Sequence, residues 1–325
     1  MIVGNMENYK IKTTVRRALG AAPEGMSVGI ADYSAQELRI IACVAQITNM
    51  LSAFFSERDN PVLVNPHTGE EYSNPDSDLH TYAASKMYPE LQRVPKWNLV
   101  AEAKKDMGGW KRRDRGKVCG FTVCYGGSGN RIATALHIEP EAADDLLNTY
   151  FQTFPELKKY LDNTATLAKY QKFVECTLTG RRYFIGESNA KGLADENSAV
   201  RKAQNTLIQG SAAVMTKKAM WYVNEAFDEL NYRYSADIPE GKDGQLVAVI
   251  HDELVVYVPG ERILVDIVDK NGVPTPKYEF TDLSKEFAKA VQQGMQKAMD
   301  ELLQPLVEGF PSKADCHLGI SWADK

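Results

Sequence analysis

Apolar and polar positions alternate along QLVAVIHDELVVYVPG (245–260). Val247, Val249 and Ile250 lead in, Leu254, Val255, Val256 and Val258 lead out, and three ionisable residues interrupt them. The pattern predicts two strands joined by a turn at His251, Asp252 and Glu253. MSVGIADYSAQELRIIACVAQ (26–46) predicts a strand over Ser27–Ala31 and a helix from near Gln36. Residues 56–78 are rich in turn formers around one short apolar run, which predicts a loop with a small hairpin. Helices are expected over 79–88, 98–106 and 110–125, the last stopping at Gly126-Gly127, and a further helix reaches about 173, broken at Pro155. VECTLTGRRYFIG (174–186) predicts a hairpin turning at Thr179-Gly180, followed by a polar Gly/Asn loop and a helix from about Asn197 to Leu230. A second strand pair falls around 262–280. The helix 282–303 aligns Phe287, Val291, Met295, Ala298 and Leu302, and HLGISWADK closes the chain as a strand. This order implies an α+β fold: a largely antiparallel sheet with a helical subdomain inserted.

Composition narrows the classes. Of 325 residues, 44% are hydrophobic and 25% charged, the balance of a soluble globular protein with room for a large core. The net charge of −5 excludes a uniformly basic polyanion binder, but KKDMGGWKRRDRGK (104–117) is strongly basic and EPEAADD (139–145) acidic, so any nucleic-acid surface must be local. Cys43, Cys119, Cys124, Cys176 and Cys316 are odd in number and form no CxxC pair. Reduced thiols in a cytoplasmic setting are expected, rather than a disulfide frame or zinc site. No apolar run reaches the roughly 18–20 residues of a membrane span.

Three constellations carry chemistry. Asp32 ends an apolar strand and Asp252 sits in the hairpin turn, each beside apolar flanks. Taken singly, these are a cap and a turn aspartate; together they suit a pair of divalent metals, which need carboxylates from rigid elements and open positions for phosphate oxygens. On the helix 110–125, Arg113, Lys117, Phe121 and Tyr125 recur every four residues and share one face. Two cations followed by two rings make a poor core but suit a nucleotide, with phosphates at one end and base and sugar at the other. Arg201, Asn205 and Gln209 form a second helical row of long donors suited to minor-groove and sugar–phosphate contacts.

DYSAQELR (32–39) resembles motif A of the family A DNA polymerases, the bacterial DNA polymerase I group and its phage relatives. Arg113, Lys117, Phe121, Tyr125 and Gly126 match motif B at every spacing, HDE at 251–253 matches motif C, and RKAQNTLIQGSAAVMTKKAM (201–220) is similar to the helix preceding it. The likeness runs from about Val15 to Trp322.

It implies a right-hand polymerase: palm over 1–50 and 200–325, and helical fingers over 51–199 with the motif B helix at 110–126. It further implies two Mg²⁺ ions, with Mn²⁺ as a substitute, held by Asp32, Asp252 and the Tyr33 carbonyl. Glu253 is then an adjacent acidic group and His251 a neighbour of the primer terminus. Glu37 is the steric gate against a ribose 2′-OH, and Gln36 and Tyr33 lie with it on the nucleotide side. Arg113 and Lys117 bind the triphosphate, Lys117 also protonating pyrophosphate. Phe121 packs on the incoming nucleotide and Tyr125 stacks at the template position. Arg201, Asn205, Gln209, His251 and Tyr125 meet DNA. The partners implied are primer–template DNA and dNTPs, in a bacterial or phage-infected cytoplasm and not at a membrane.

Two departures stand out. Thr122 occupies a place that is often Gly in the family. The 31 residues before Asp32 are too few for the thumb and exonuclease that the family places there. Either the chain is a piece of a longer polymerase or a companion chain supplies the thumb and the 3′→5′ exonuclease. Of the other classes, a single-subunit RNA polymerase conflicts with Glu37 at the ribose, a nuclease has no use for the motif B face, and a non-catalytic DNA-binding subunit has no need of both metal aspartates.

Overall fold

The computed structural model describes residues 21–185, 193–260, 262–268 and 274–323. In chain order the elements are β1 (Met26–Tyr33), α1 (Gln36–Val44), α2 (Thr48–Asp59), β2 (Val62–Val64), β3 (Glu71–Ser73), α3 (Leu79–Met87), α4 (Lys96–Ala103), α5 (Arg112–Cys124), α6 (Gly129–Leu136), α7 (Pro140–Thr153), α8 (Pro155–Gln171), β4 (Phe173–Glu175), β5 (Arg182–Phe184), α9 (Leu193–Arg233), β6 (Gln245–Ile250), β7 (Glu253–Pro259), β8 (Arg262–Val268), β9 (Pro274–Phe280), α10 (Asp282–Leu303) and β10 (Ala314–Gly319). The fold is α+β, as the element order implied. Its residues group into two compact units, one of 1–34, 213–301 and 312–325, the other of 35–212 and 302–311.

The first unit is built on a four-stranded sheet in the order β10–β1–β7–β6, antiparallel throughout. β1 lies between two partners, which is why its run Met26–Ala31 is buried and apolar apart from Ser27 and Gly29. Helical residues cover one face. The Tyr33 hydroxyl donates to the Met295 carbonyl (2.9 Å), Gln292 Nε2 donates to the Ala314 carbonyl (2.8 Å), and Phe227 of α9 meets Phe287 of α10 with ring centroids 5.1 Å apart. On the other face Val28, Ile30 and Val255 form a separate cluster, with Ile250, Tyr257 and Trp322 packed against it.

The second unit is mainly helical. Arg39, from the DYSAQELR stretch, is 1% exposed and acts as its internal tie. Its guanidinium donates to Glu57 Oε2 (2.5 Å) and to the Pro311 carbonyl (2.7 Å), and lies 4.3 Å from the centre of the Phe54 ring. α5 packs closely on α3 because Gly116 faces it: a Cβ there would lie 2.8 Å from the His80 carbonyl oxygen. The break between α7 and α8 falls at Phe154, immediately before Pro155.

Several expectations need correction. Glu253 is not part of the turn: it opens β7 and pairs with Ile250, leaving His251 and Asp252 as a two-residue connection. The closing strand begins at Ala314 and ends at Gly319, so residues 320–323 are not strand. Residues 56–59, expected as loop, complete α2; the small hairpin is β2–β3. The polar Gly/Asn loop expected after β5 and the likeness between Val15 and residue 20 lie outside the described residues. All five cysteines are free thiols. Among the described residues, no helix is long and apolar enough to cross a membrane.

Candidate active site

The first unit carries an acidic sheet edge. Asp32 is the penultimate residue of β1 and half-buried, opposite Asp315 of β10. Asp252 is half-buried in the β6–β7 turn, next to the exposed His251. His251 has φ +59°, at the first turn position of a two-residue hairpin, where glycine is the usual occupant. Tyr33 ends β1, buried. Its phenol is pushed well above the ordinary tyrosine range by burial and secondarily by the charge of Asp252. Glu253 is buried, and the indole N–H of Trp322 donates to its Oε1.

These residues fit a divalent cation. The β1–β7 register pairs Ala31 with Leu254, which puts the β6–β7 turn and Asp252 at the same end of β1 as Asp32. Among the described residues, no group of three or more His, Cys, Asp or Glu is arranged to hold a metal. Two carboxylates are nevertheless what Mg²⁺ asks of a protein, since it keeps water and takes substrate phosphate oxygens for the rest of its shell.

The second unit holds the cationic and aromatic face of α5. Arg113 grips Asp78 in a bidentate pair, Nε to Oδ2 at 2.5 Å and Nη2 to Oδ1 at 3.1 Å. Asp78 also N-caps α3, accepting from the His80 amide (3.2 Å) and from the Thr81 hydroxyl (2.7 Å). Burial raises its pKa, but the hydrogen bonds from Arg113 and Thr81 outweigh that and leave it below the usual carboxylate range. Lys117 is exposed, with Nζ 5.7 Å from the centre of the Phe121 ring. The His80 ring lies 6.1 Å from Phe121. Burial first, then Arg113, pull its pKa down to about 4, so it is neutral near pH 7. Arg113 is thus a cation held by Asp78 and Lys117 an exposed one, beside an aromatic plate, an arrangement able to hold a nucleotide's phosphates.

A second cluster joins residues from three distant stretches. Glu37 Oε1 accepts from the Tyr125 hydroxyl (3.2 Å) and from Gln209 Nε2 (3.2 Å). Tyr125 is the C-cap of α5; burial and then Glu37 raise its pKa. Gly126 follows at φ +65°, where a Cβ would lie 2.9 Å from the Arg201 carbonyl oxygen, so α9 can approach closely only with glycine there. Arg201 is exposed. Asn205 Oδ1 is buried without a hydrogen-bond partner among the described residues. Gln36 is 2% exposed and directs Nε2 at the Ala212 carbonyl (3.4 Å). Thr122 is buried.

The DNA polymerase family A sequence pattern matches residues 4–267. The chain belongs to DNA polymerase family A. It is 31% identical over 258 residues to DNA polymerase I of Pseudomonas aeruginosa, covering 78% of this chain and 23% of that protein. To DNA polymerase I of Bacillus caldotenax it is 25% identical over 324 residues, 98% of this chain and 29% of that one. This family A chain therefore spans under a third of the length of these relatives. Its fold is similar to a solved structure described as the POL domain of Pol1 from M. smegmatis in complex with DNA primer-template and dNTP. The TM-score is 0.63 and the identity 24%, over 96% of this chain and 42% of that one.

Four residues of these clusters escaped the sequence reading. Asp78 read only as the last residue of a loop and His80 as part of a helix start. Asp315 and Trp322 carried no spacing signal, since register and tertiary contact bring them to the acidic edge.

Proposed function

We propose that this chain is the palm and fingers portion of a template-directed DNA polymerase, adding dNTPs to a primer 3′-OH with release of pyrophosphate. The observation that most supports this is the meeting at Glu37 Oε1, where residues 37, 125 and 209, each from a different motif, share one carboxylate. The first unit then serves as palm and the second as fingers. Thumb and 3′→5′ exonuclease functions, where the reaction uses them, come from outside these 325 residues.

Asp32, Asp252 and the Tyr33 carbonyl would hold two Mg²⁺ ions, or Mn²⁺ in their place. When bound, the ions supply Lewis acidity to the attacking 3′-hydroxyl and the departing pyrophosphate. The remaining work is positioning and electrostatics. Arg113, oriented by Asp78, and Lys117 bind the triphosphate, and Lys117 is the donor that protonates the leaving pyrophosphate. Phe121 packs on the incoming sugar and base, with neutral His80 supporting its ring. Tyr125 stacks at the template position. Glu37 fills the space a 2′-hydroxyl would need, tethered by Tyr125 and Gln209. Arg201, Asn205, Gln209 and His251 contact primer–template.

The test is primer extension with Mg²⁺ and either dNTPs or rNTPs, on the parent protein and Glu37→Ala. The parent should use dNTPs only. The variant should gain rNTP incorporation on the order of tenfold or more, since a steric exclusion rather than a weak contact is removed. Unchanged discrimination in an active Glu37→Ala protein would refute the gate role. Extension by the parent with rNTPs alone would point instead to an RNA polymerase.

A further inference from the structure

Residues 169–185, KYQKFVECTLTGRRYFI, hold four cations against a single acid, Glu175, in a chain of net charge −5. The same stretch carries four aromatic residues. Most of it is the β4–β5 hairpin, whose register pairs Phe173 with Phe184, Val174 with Tyr183 and Glu175 with Arg182. Directly opposed residues share a face, so Val174 and Tyr183 lie on one side, and Phe173, Phe184, Glu175 and Arg182 on the other. The first side is anchored. Val174 packs in one cluster with Cys176, with Ala168 of α8 and with Ala203 and Leu207 of α9, and the Cys176 thiol meets the Ser211 hydroxyl at 3.1 Å. The Tyr183 hydroxyl lies so close to Gly210 that a Cβ there would be 2.5 Å from it.

The second side meets water. Phe173 and Phe184 have ring centroids 6.0 Å apart. The Arg182 guanidinium, held by Glu175 (2.8 Å), lies 5.1 Å from the centre of the Phe173 ring, while Phe184 is 77% exposed. A cross-strand aromatic pair stabilises a hairpin through the contact of its rings, and a ring left this open contributes little of that. Lys172 at the base of the hairpin and Arg181 at its turn are exposed, and neither has an ion-pair partner among the described residues. The Arg181 guanidinium lies 5.5 Å from the centre of the Tyr183 ring. An open ring on an anchored support, with cations at either end, complements an unpaired nucleic-acid strand, which offers base faces to stack and phosphates to neutralise. An acidic peptide would use the cations but has no need of the ring. We propose that the β4–β5 hairpin is a stacking platform for single-stranded nucleic acid, where Phe184 takes a base and Arg181 and Lys172 take phosphates. None of these residues belongs to the motifs that form the candidate active site.

The test is binding of a fluorescein-labelled oligo(dT) of about a dozen nucleotides to the full chain, by anisotropy over a salt series, with 5-iododeoxyuridine cross-linking to locate the strand. The parent should bind, with cross-links within 173–184. Phe184→Leu keeps an apolar side chain and removes the π-face; it should weaken binding by about tenfold, the scale of one base stacked on a ring. Arg181→Gln should reduce the slope of log affinity against log salt by about 0.7, the share of one single-strand phosphate. No binding by the parent, parental affinity in Phe184→Leu, or cross-links confined to residues outside the hairpin would overturn the platform. Displacement of the oligonucleotide by poly-glutamate of equal charge with equal potency would overturn it too, in favour of an acidic protein partner. If the parent adds no nucleotide to a primer yet its oligo(dT) binding still depends on Phe184, the polymerase reading fails and the platform stands.

Discussion

His80 shows how much a single residue's surroundings decide. Its imidazole is enclosed beside Phe121, with Arg113 and Lys117 opposing a further positive charge and only Asp78 favouring one. The pKa is about 4 folded against 6.5 ordinarily, so the unfolded chain takes up this proton first as pH falls. Stability contributed by neutral His80 is complete above about 6.5 and is lost progressively towards about 4. Chemical denaturation across that window should show a decline that His80→Gln flattens by about 3 kcal/mol, at 1.36 kcal/mol per pKa unit. An identical slope in the variant would mean the imidazole is not held neutral. Asp78, whose pKa is lowered, adds stability present above its unfolded pKa and lost only as pH falls through its folded value.

At the scale of elements, α5 was legible because its two faces have different work. Arg113, Lys117 and Phe121 recur every four residues on one side, while Gly116, Cys119, Gly120 and Val123 are buried on the other. Gly116→Ala would push a methyl into the α3 backbone at His80, displacing the helix that carries Asp78. The expected result is a destabilisation of about 1–3 kcal/mol, as for overpacking, together with a raised KM for dNTP, measured by denaturation and steady-state extension. Wild-type KM in a destabilised Gly116→Ala protein would show that α3 does not support the Arg113 site. The hairpin was legible as two strands about a charged turn, but its register was not: only the pairing shows that Glu253 lies on the strand. The Asp78–Arg113 pair spans 35 residues and Glu253–Trp322 spans 69, separations over which periodicity carries no information.

Across the whole molecule, charge is informative only locally. A chain of net charge −5 has no general attraction for DNA, so any binding must come from local groups of cations such as those in the basic stretch 104–117. The α+β class followed from element order alone. The division at residues 34/35 and 212/213 did not, because each boundary falls where the chain continues with no change in composition: into α1 at the first, and within α9 at the second. The central claim is that Asp32 and Asp252 serve nucleotidyl transfer, and single-nucleotide incorporation on a defined primer–template with Mg²⁺ addresses it most directly. The purified chain should add only the dNTP complementary to the template base, and Asp252→Ala should lose at least about a thousandfold in rate, on the scale of removing a principal transition-state stabiliser, while keeping its fold. Incorporation that persists undiminished in Asp252→Ala would contradict it.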